Sequence, residues 1–109
     1  MIEEINIGKA LDFIRDNAEP LAEAKATRIY LEQYRKSKKA LLMNEVEGAE
    51  HVRSSYAYSH LEYLVLLENY RDAIKKEEYL KWMMIAAQTK CEIYRTESAN
   101  ARFIDKVHT

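Results

Sequence analysis

Glycine and proline are almost missing from this chain, which holds two glycines and one proline among its 109 residues. Gly8, Gly48 and Pro20 cannot supply the turns of a many-stranded sandwich or barrel, nor a glycine-rich loop that cradles phosphates. Cysteine occurs once, at Cys91, which excludes an intrachain disulfide and fits a reducing compartment. No apolar run approaches the roughly 20 residues needed to span a bilayer. The first residues, Met1-Ile2-Glu3-Glu4, are acidic where a secretory signal is basic. Neither sign of charge is in excess: 17 basic against 18 acidic side chains leave a net charge of −1. That balance argues against a polycationic nucleic-acid coat and leaves local patches open. The expectation is a soluble, cytoplasmic protein with no membrane partner.

What is abundant is the set of strong helix formers, Ala, Leu, Glu, Lys, Gln and Arg. Ile5, Ala10, Leu11, Ile14, Ala18, Leu21, Ala22, Ile29 and Tyr34 recur at helical spacing, which predicts a helical arm over about 5–44. Pro20 breaks or kinks it, with Asn17 placed to cap a new helix. Periodicity fades over about 45–58, where Gly48 can close the helix and Ser54-Ser55 offer start signals, so a loop is expected there. From Tyr63 through Leu66, Leu67, Tyr70, Ala73, Ile74, Leu80, Met84, Ala87 and Cys91 to Ala101, apolar residues keep close to a seven-residue repeat. One long helix over about 59–106 follows, on the order of 65–70 Å at 1.5 Å per residue.

The fold class expected is therefore all-α, a single domain forming a long antiparallel helical hairpin. Two helices leave each other's outer faces open, and Val65, Trp82, Met83, Ile85 and Phe103 remain to be covered. A homo-oligomer, such as a four-helix bundle made by two chains, would cover them.

Catalytic signatures are missing. His51, His60 and His108 have no Cys or His at helical ligand spacing, and the His60-Leu61-Glu62 neighbourhood is a weak metal motif, so no metal and no cofactor are assigned. Cys91 lies in the apolar seam with no adjacent histidine and reads as a small buried hydrophobe. Adjacent carboxylates such as Glu77-Glu78 diverge around a helix. No nucleophile elbow, phosphate loop or dinucleotide fingerprint occurs, and no enzymatic activity is expected.

Charge does concentrate between Arg28 and Lys39. Arg28, Arg35 and Lys39 share a helical face, and Lys36 and Lys38 broaden its positive end. That face could follow a phosphate backbone, with Tyr30 and Tyr34 at i, i+4 stacking on exposed bases. The same residues have a structural reading: cations near a helix C-terminus complement its dipole, and the tyrosines pack into the hairpin. A second basic stripe, Arg95, Arg102 and Lys106, is explained equally by ion pairs with Glu92 and Glu97. Ser54 to His60 combines hydroxyls, two tyrosines and a histidine and reads as a contact site or as a lid over the hairpin end.

Three segments taken together, Tyr34-Arg35-Lys36-Ser37-Lys38-Lys39-Ala40-Leu41-Leu42-Met43, Ser54-Ser55-Tyr56-Ala57-Tyr58-Ser59-His60-Leu61-Glu62-Tyr63, and Ile85-Ala86-Ala87-Gln88 with Glu92 to Arg102, resemble a largely uncharacterised family of small helical proteins of tailed phages and prophages. The likeness covers most of the chain from about Ala18. It departs at Ser59-His60-Leu61, where relatives place a proline before the glutamate, and at Tyr94, where they carry tryptophan. Members look to be encoded in early regions among recombination and single-strand-binding functions. The resemblance thus implies an accessory role in phage DNA recombination or replication.

Two functions from different classes follow. In the first, the face of Arg28, Tyr30, Tyr34, Arg35, Lys36, Lys38 and Lys39 binds single-stranded DNA or a nucleoprotein complex. In the second, the chain is an adaptor or inhibitor that docks on a host or phage replication, recombination or defence protein, with Tyr79, Trp82 and Met83 as anchors.

Overall fold

The computed structural model describes residues 5–108, with side chains to residue 107. The opening Met1–Glu4 segment, and the frayed-tail reading of the His108 side chain, lie outside what it describes. Three helices account for nearly all of it: α1, Ile7–Met43; α2, Glu50–Ser59; and α3, Leu61–His108. No strand occurs among the described residues, and α1 pairs antiparallel with α3.

The pairing is written as a heptad on both helices. On α3 the positions Tyr63, Leu66, Tyr70, Ala73, Glu77, Leu80, Met84, Ala87 and Cys91 alternate by three and four residues, and every one is buried or half-buried. On α1 the matching series is Ala10, Ile14, Asn17, Leu21, Ala24, Arg28, Leu31, Arg35, Lys38 and Leu42, again all buried or half-buried. A strict alternation of this kind keeps one stripe of each helix facing the other, the arrangement of a coiled coil. The seam is thin: Ala10, Ala24 and Ala87 are among its buried residues.

Helix α1 starts where Asn6 caps it, its Oδ1 accepting from the Lys9 N–H at 3.0 Å while its carbonyl accepts from Ala10. Pro20 lies inside the helix and does not break it. Asn17 caps nothing; its side-chain amide donates to the Phe13 carbonyl at 2.9 Å, within the same helix.

The expected loop over 45–58 is mostly helix. Only residues 44–49 connect α1 to α2, and Ser54 and Ser55 lie inside α2 instead of starting α3. Glu50 in the first turn complements the dipole, and no glycine or proline interrupts the segment. Its inward stripe is Arg53, Tyr56 and Ala57, which has little of the Leu and Ile that mark a helix by periodicity. Gly48 sits within the connection, at φ 131°, a conformation that side chains with a Cβ rarely adopt.

The chain packs as two compact units, Met1–Leu21 with Tyr79–Thr109, and Ala22–Glu78. In the second unit Leu42, fully buried, Ala57 and Tyr63 form the core, with Met43, Tyr56 and Leu67 against it. In the first, Ala10, Met84 and Ala87 are the buried residues.

Candidate nucleic-acid interface

Within the unit 22–78, the basic segment of α1 splits into two sets. Arg28, Arg35 and Lys38 all occupy seam positions, and of these Arg28 and Lys38 are turned to carboxylates. Arg28 grips Glu77 on α3 with Nε and Nη2, and its Nη1 reaches Glu32 one turn along at 3.5 Å. The Lys38 ammonium meets Glu62 at 2.7 Å. The Glu77 hydrogen bond raises the Arg28 pKa above its ordinary value, and the Glu62 hydrogen bond does the same for Lys38. Glu62 is lowered in return by Lys38, hydrogen bond first and charge second. These two cations, expected on an outward phosphate-binding face, are instead committed to pairing α1 with α3.

Arg35, Lys36 and Lys39 form the other set. Together with Tyr58 of α2 and Tyr63 of α3 they line one open concavity of about 450 Å³. The Arg35 guanidinium lies 5.4 Å from the centre of the Tyr70 ring, and the Lys39 ammonium 4.4 Å from that of Tyr58. Tyr58 itself stands edge-on to Tyr63, with ring centres 5.3 Å apart. Cations held against aromatic faces keep their charge, give up part of their hydration and are pre-positioned for an anion. The last turn of α1 holds no basic residue, so dipole complementation accounts poorly for this cluster.

Tyr30 points to solvent, and Tyr34, 38% exposed, borders a groove lined by Leu61, Val65 and Leu66 of α3. The two tyrosines stack on each other, nearly parallel at 6° with ring centres 5.9 Å apart, and both are exposed.

Helix α2, invisible to periodicity, supplies the third side of the concavity and is tied down by polar contacts. Arg53 donates to the Met43 carbonyl at 3.0 Å and to Asn44 Oδ1 at 3.2 Å, closing the end of α1. The Tyr56 hydroxyl donates to Glu45 at 2.8 Å, and that bond raises its pKa. His60 is the joint between α2 and α3: its extended backbone ends one helix, and its Nδ1 accepts from the Glu62 N–H at 3.1 Å at the start of the next. The Ser54–His60 segment thus positions Tyr58, a residue that sequence reasoning left out of the binding set.

In the other unit, the anchors Tyr79, Trp82 and Met83 are exposed, Trp82 at 62% and Tyr79 at 64% of their surface. Arg95, Arg102 and Lys106 are exposed as well. Cys91 is half-buried in the seam with a free thiol. No cluster of three metal-ligating side chains occurs among the described residues, and none of their helices is long and apolar enough to cross a membrane.

No known protein family matches the chain, and neither the curated proteins nor the solved structures contain a match to it.

Proposed function

We propose that the protein is a non-enzymatic accessory factor of phage DNA recombination or replication, acting in the cytoplasm of the host as an assembly of more than one copy. In this reading it binds single-stranded DNA, alone or in a nucleoprotein complex. The observation that carries it is the convergence of Arg35, Lys36 and Lys39 with Tyr58 and Tyr63 on one concavity. Cations neutralise phosphates, and an exposed tyrosine ring offers a stacking surface that accepts any base. The phage context rests on the resemblance of the three segments described above.

With three cations lining the concavity the electrostatic contribution is small. Log K against log salt should fall with a slope of about −2 per copy on single strands. The test is fluorescence anisotropy of labelled single-stranded and duplex oligonucleotides at low and near-physiological salt. Salt-sensitive binding that favours the single strand, and that Lys36→Glu/Lys39→Glu weakens about tenfold or more for every sequence, supports the site. Absence of binding at low salt, or binding indifferent to the double variant, overturns it.

The exposure of Tyr79, Trp82 and Met83 favours a second reading, an adaptor or inhibitor docking on a replication, recombination or defence protein. Loss of a defined partner on Trp82→Ala, with oligonucleotide binding intact, would distinguish it.

A further inference from the structure

Helix α3 carries a second heptad stripe on the side opposite its seam. At spacings of three and four residues it places Tyr79, Trp82, Ala86, Ile93, Phe103 and Val107 on one side of the helix, with Thr89, Thr96 and Asn100 at the intervening positions. Every position on it is exposed, Phe103 at 68%. The stripe spans about 42 Å of helix. Large exposed apolar side chains gathered on one side of a helix have no value to a solvated face; they have value where another helix lies along them.

We propose that this stripe pairs with the same stripe of a second copy, antiparallel, about a two-fold axis between Tyr94 and Arg95. The proposal rests on the self-association put forward above and names its surface. Two features of the stripe select the occupant and the orientation.

The first is size. In this register Trp82 lies level with Val107 of the second copy, Ala86 with Phe103, Thr89 with Asn100, and Ile93 with Thr96. The largest residues meet smaller ones and Thr89 meets Asn100, so these layers fill evenly, and Tyr79 lies beyond the paired segment. A parallel, in-register pair would set Trp82 on Trp82 and Ala86 on Ala86, crowding one layer and hollowing the next.

The second is charge. Antiparallel helices bring like flanking positions together, which puts Lys90 beside Glu97 of the second copy, twice by symmetry, and Met83 beside Ile104. The parallel arrangement would instead oppose Glu92 and Glu97, a like-charge contact with no compensating pair on the stripe. Lys90 and Glu97 stand two turns apart on their own helix, about 10 Å along the axis, so they do not bond within one chain.

Sedimentation of the full chain across a wide concentration range, with circular dichroism to confirm helix content, tests this. The expected result is a reversible dimer that Ile93→Glu reduces to monomer with helicity retained. Lys90→Glu and Glu97→Lys should each weaken dimerisation about tenfold, and the double exchange should restore it. A monomer at all concentrations overturns self-association altogether and leaves the stripe to another partner. A dimer indifferent to Ile93→Glu overturns the surface alone. Tightening by Glu97→Lys alone, or failure of the double exchange to restore, overturns the antiparallel orientation.

Discussion

Arg28 on α1 and Glu77 on α3 face each other across the helical seam, each at a position the heptad reserves for an apolar side chain. The pair is half-buried and two-pronged, and Glu32 flanks it. Removing one member leaves the other charge in a partly dry seam, whereas replacing both with leucine restores a plain heptad layer. Arg28→Ala and Glu77→Ala should each lower the thermal midpoint, and Arg28→Leu/Glu77→Leu should recover most of the loss. Oligonucleotide affinity should be the same in folded Arg28→Ala as in the parent; a large drop there would return Arg28 to the binding face.

Among the described residues Leu42 is the one large side chain that is fully buried, held between α2 and α3 against Ala57 and Tyr63. Truncation removes its methyl groups and leaves a cavity that Ala57 is too small to fill. Leu42→Ala should cost about 2–5 kcal/mol, measured from urea unfolding. A cost well under 1 kcal/mol would mean that α2 does not close on α1 as described.

His60 ends α2 and caps α3 in a single residue. Loss of an N-cap acceptor costs about 0.5–2 kcal/mol, and asparagine supplies an equivalent acceptor. His60→Ala should destabilise by that amount and His60→Asn should be close to neutral, with both followed by chemical denaturation. Equal losses in the two variants would assign the effect to packing against Tyr56, whose ring lies 5.5 Å away.

The Lys38–Glu62 pair sets a pH dependence of known sign. Glu62 is lowered by Lys38, so its contribution is in place above the ordinary carboxylate range and is lost as pH falls through the lowered value. Lys38 is raised by Glu62, so its contribution is in place below the ordinary lysine range and is lost as pH rises through the raised value. The stability advantage of the parent over Glu62→Gln should therefore be flat from mildly acidic to mildly alkaline pH and shrink at both ends. Urea midpoints taken across pH would show this; an advantage that persists unchanged in strong acid would contradict it.

The long helices were legible because their seams repeat and because almost no glycine or proline interrupts them. Helix α2 was not: its buried stripe is Arg53, Tyr56 and Ala57, residues whose inward role depends on the ends of α1 and α3 that they meet. The cluster of cations was legible as a concentration of charge, but its division was not. Whether a lysine on a helix serves a ligand or a carboxylate depends on which residue of the opposite helix stands level with it. Lys38 meets Glu62, and Lys39, one residue on, meets the ring of Tyr58. Of the break or kink expected at Pro20, the break does not occur: a proline on an exposed helix face is absorbed where water reaches the freed carbonyl.

That proline has a consequence for how the molecule breathes. The Asp16 carbonyl receives no backbone hydrogen from residue 20, and one residue beyond Pro20 the packing passes from one unit to the other. Amide exchange in deuterated water should reflect this missing rung, with the turn after Asp16 exchanging early and the stretches on either side protected to different degrees. Helix α1 would then behave as two cooperative blocks that open on separate clocks, with a single imino acid marking where one ends and the next begins.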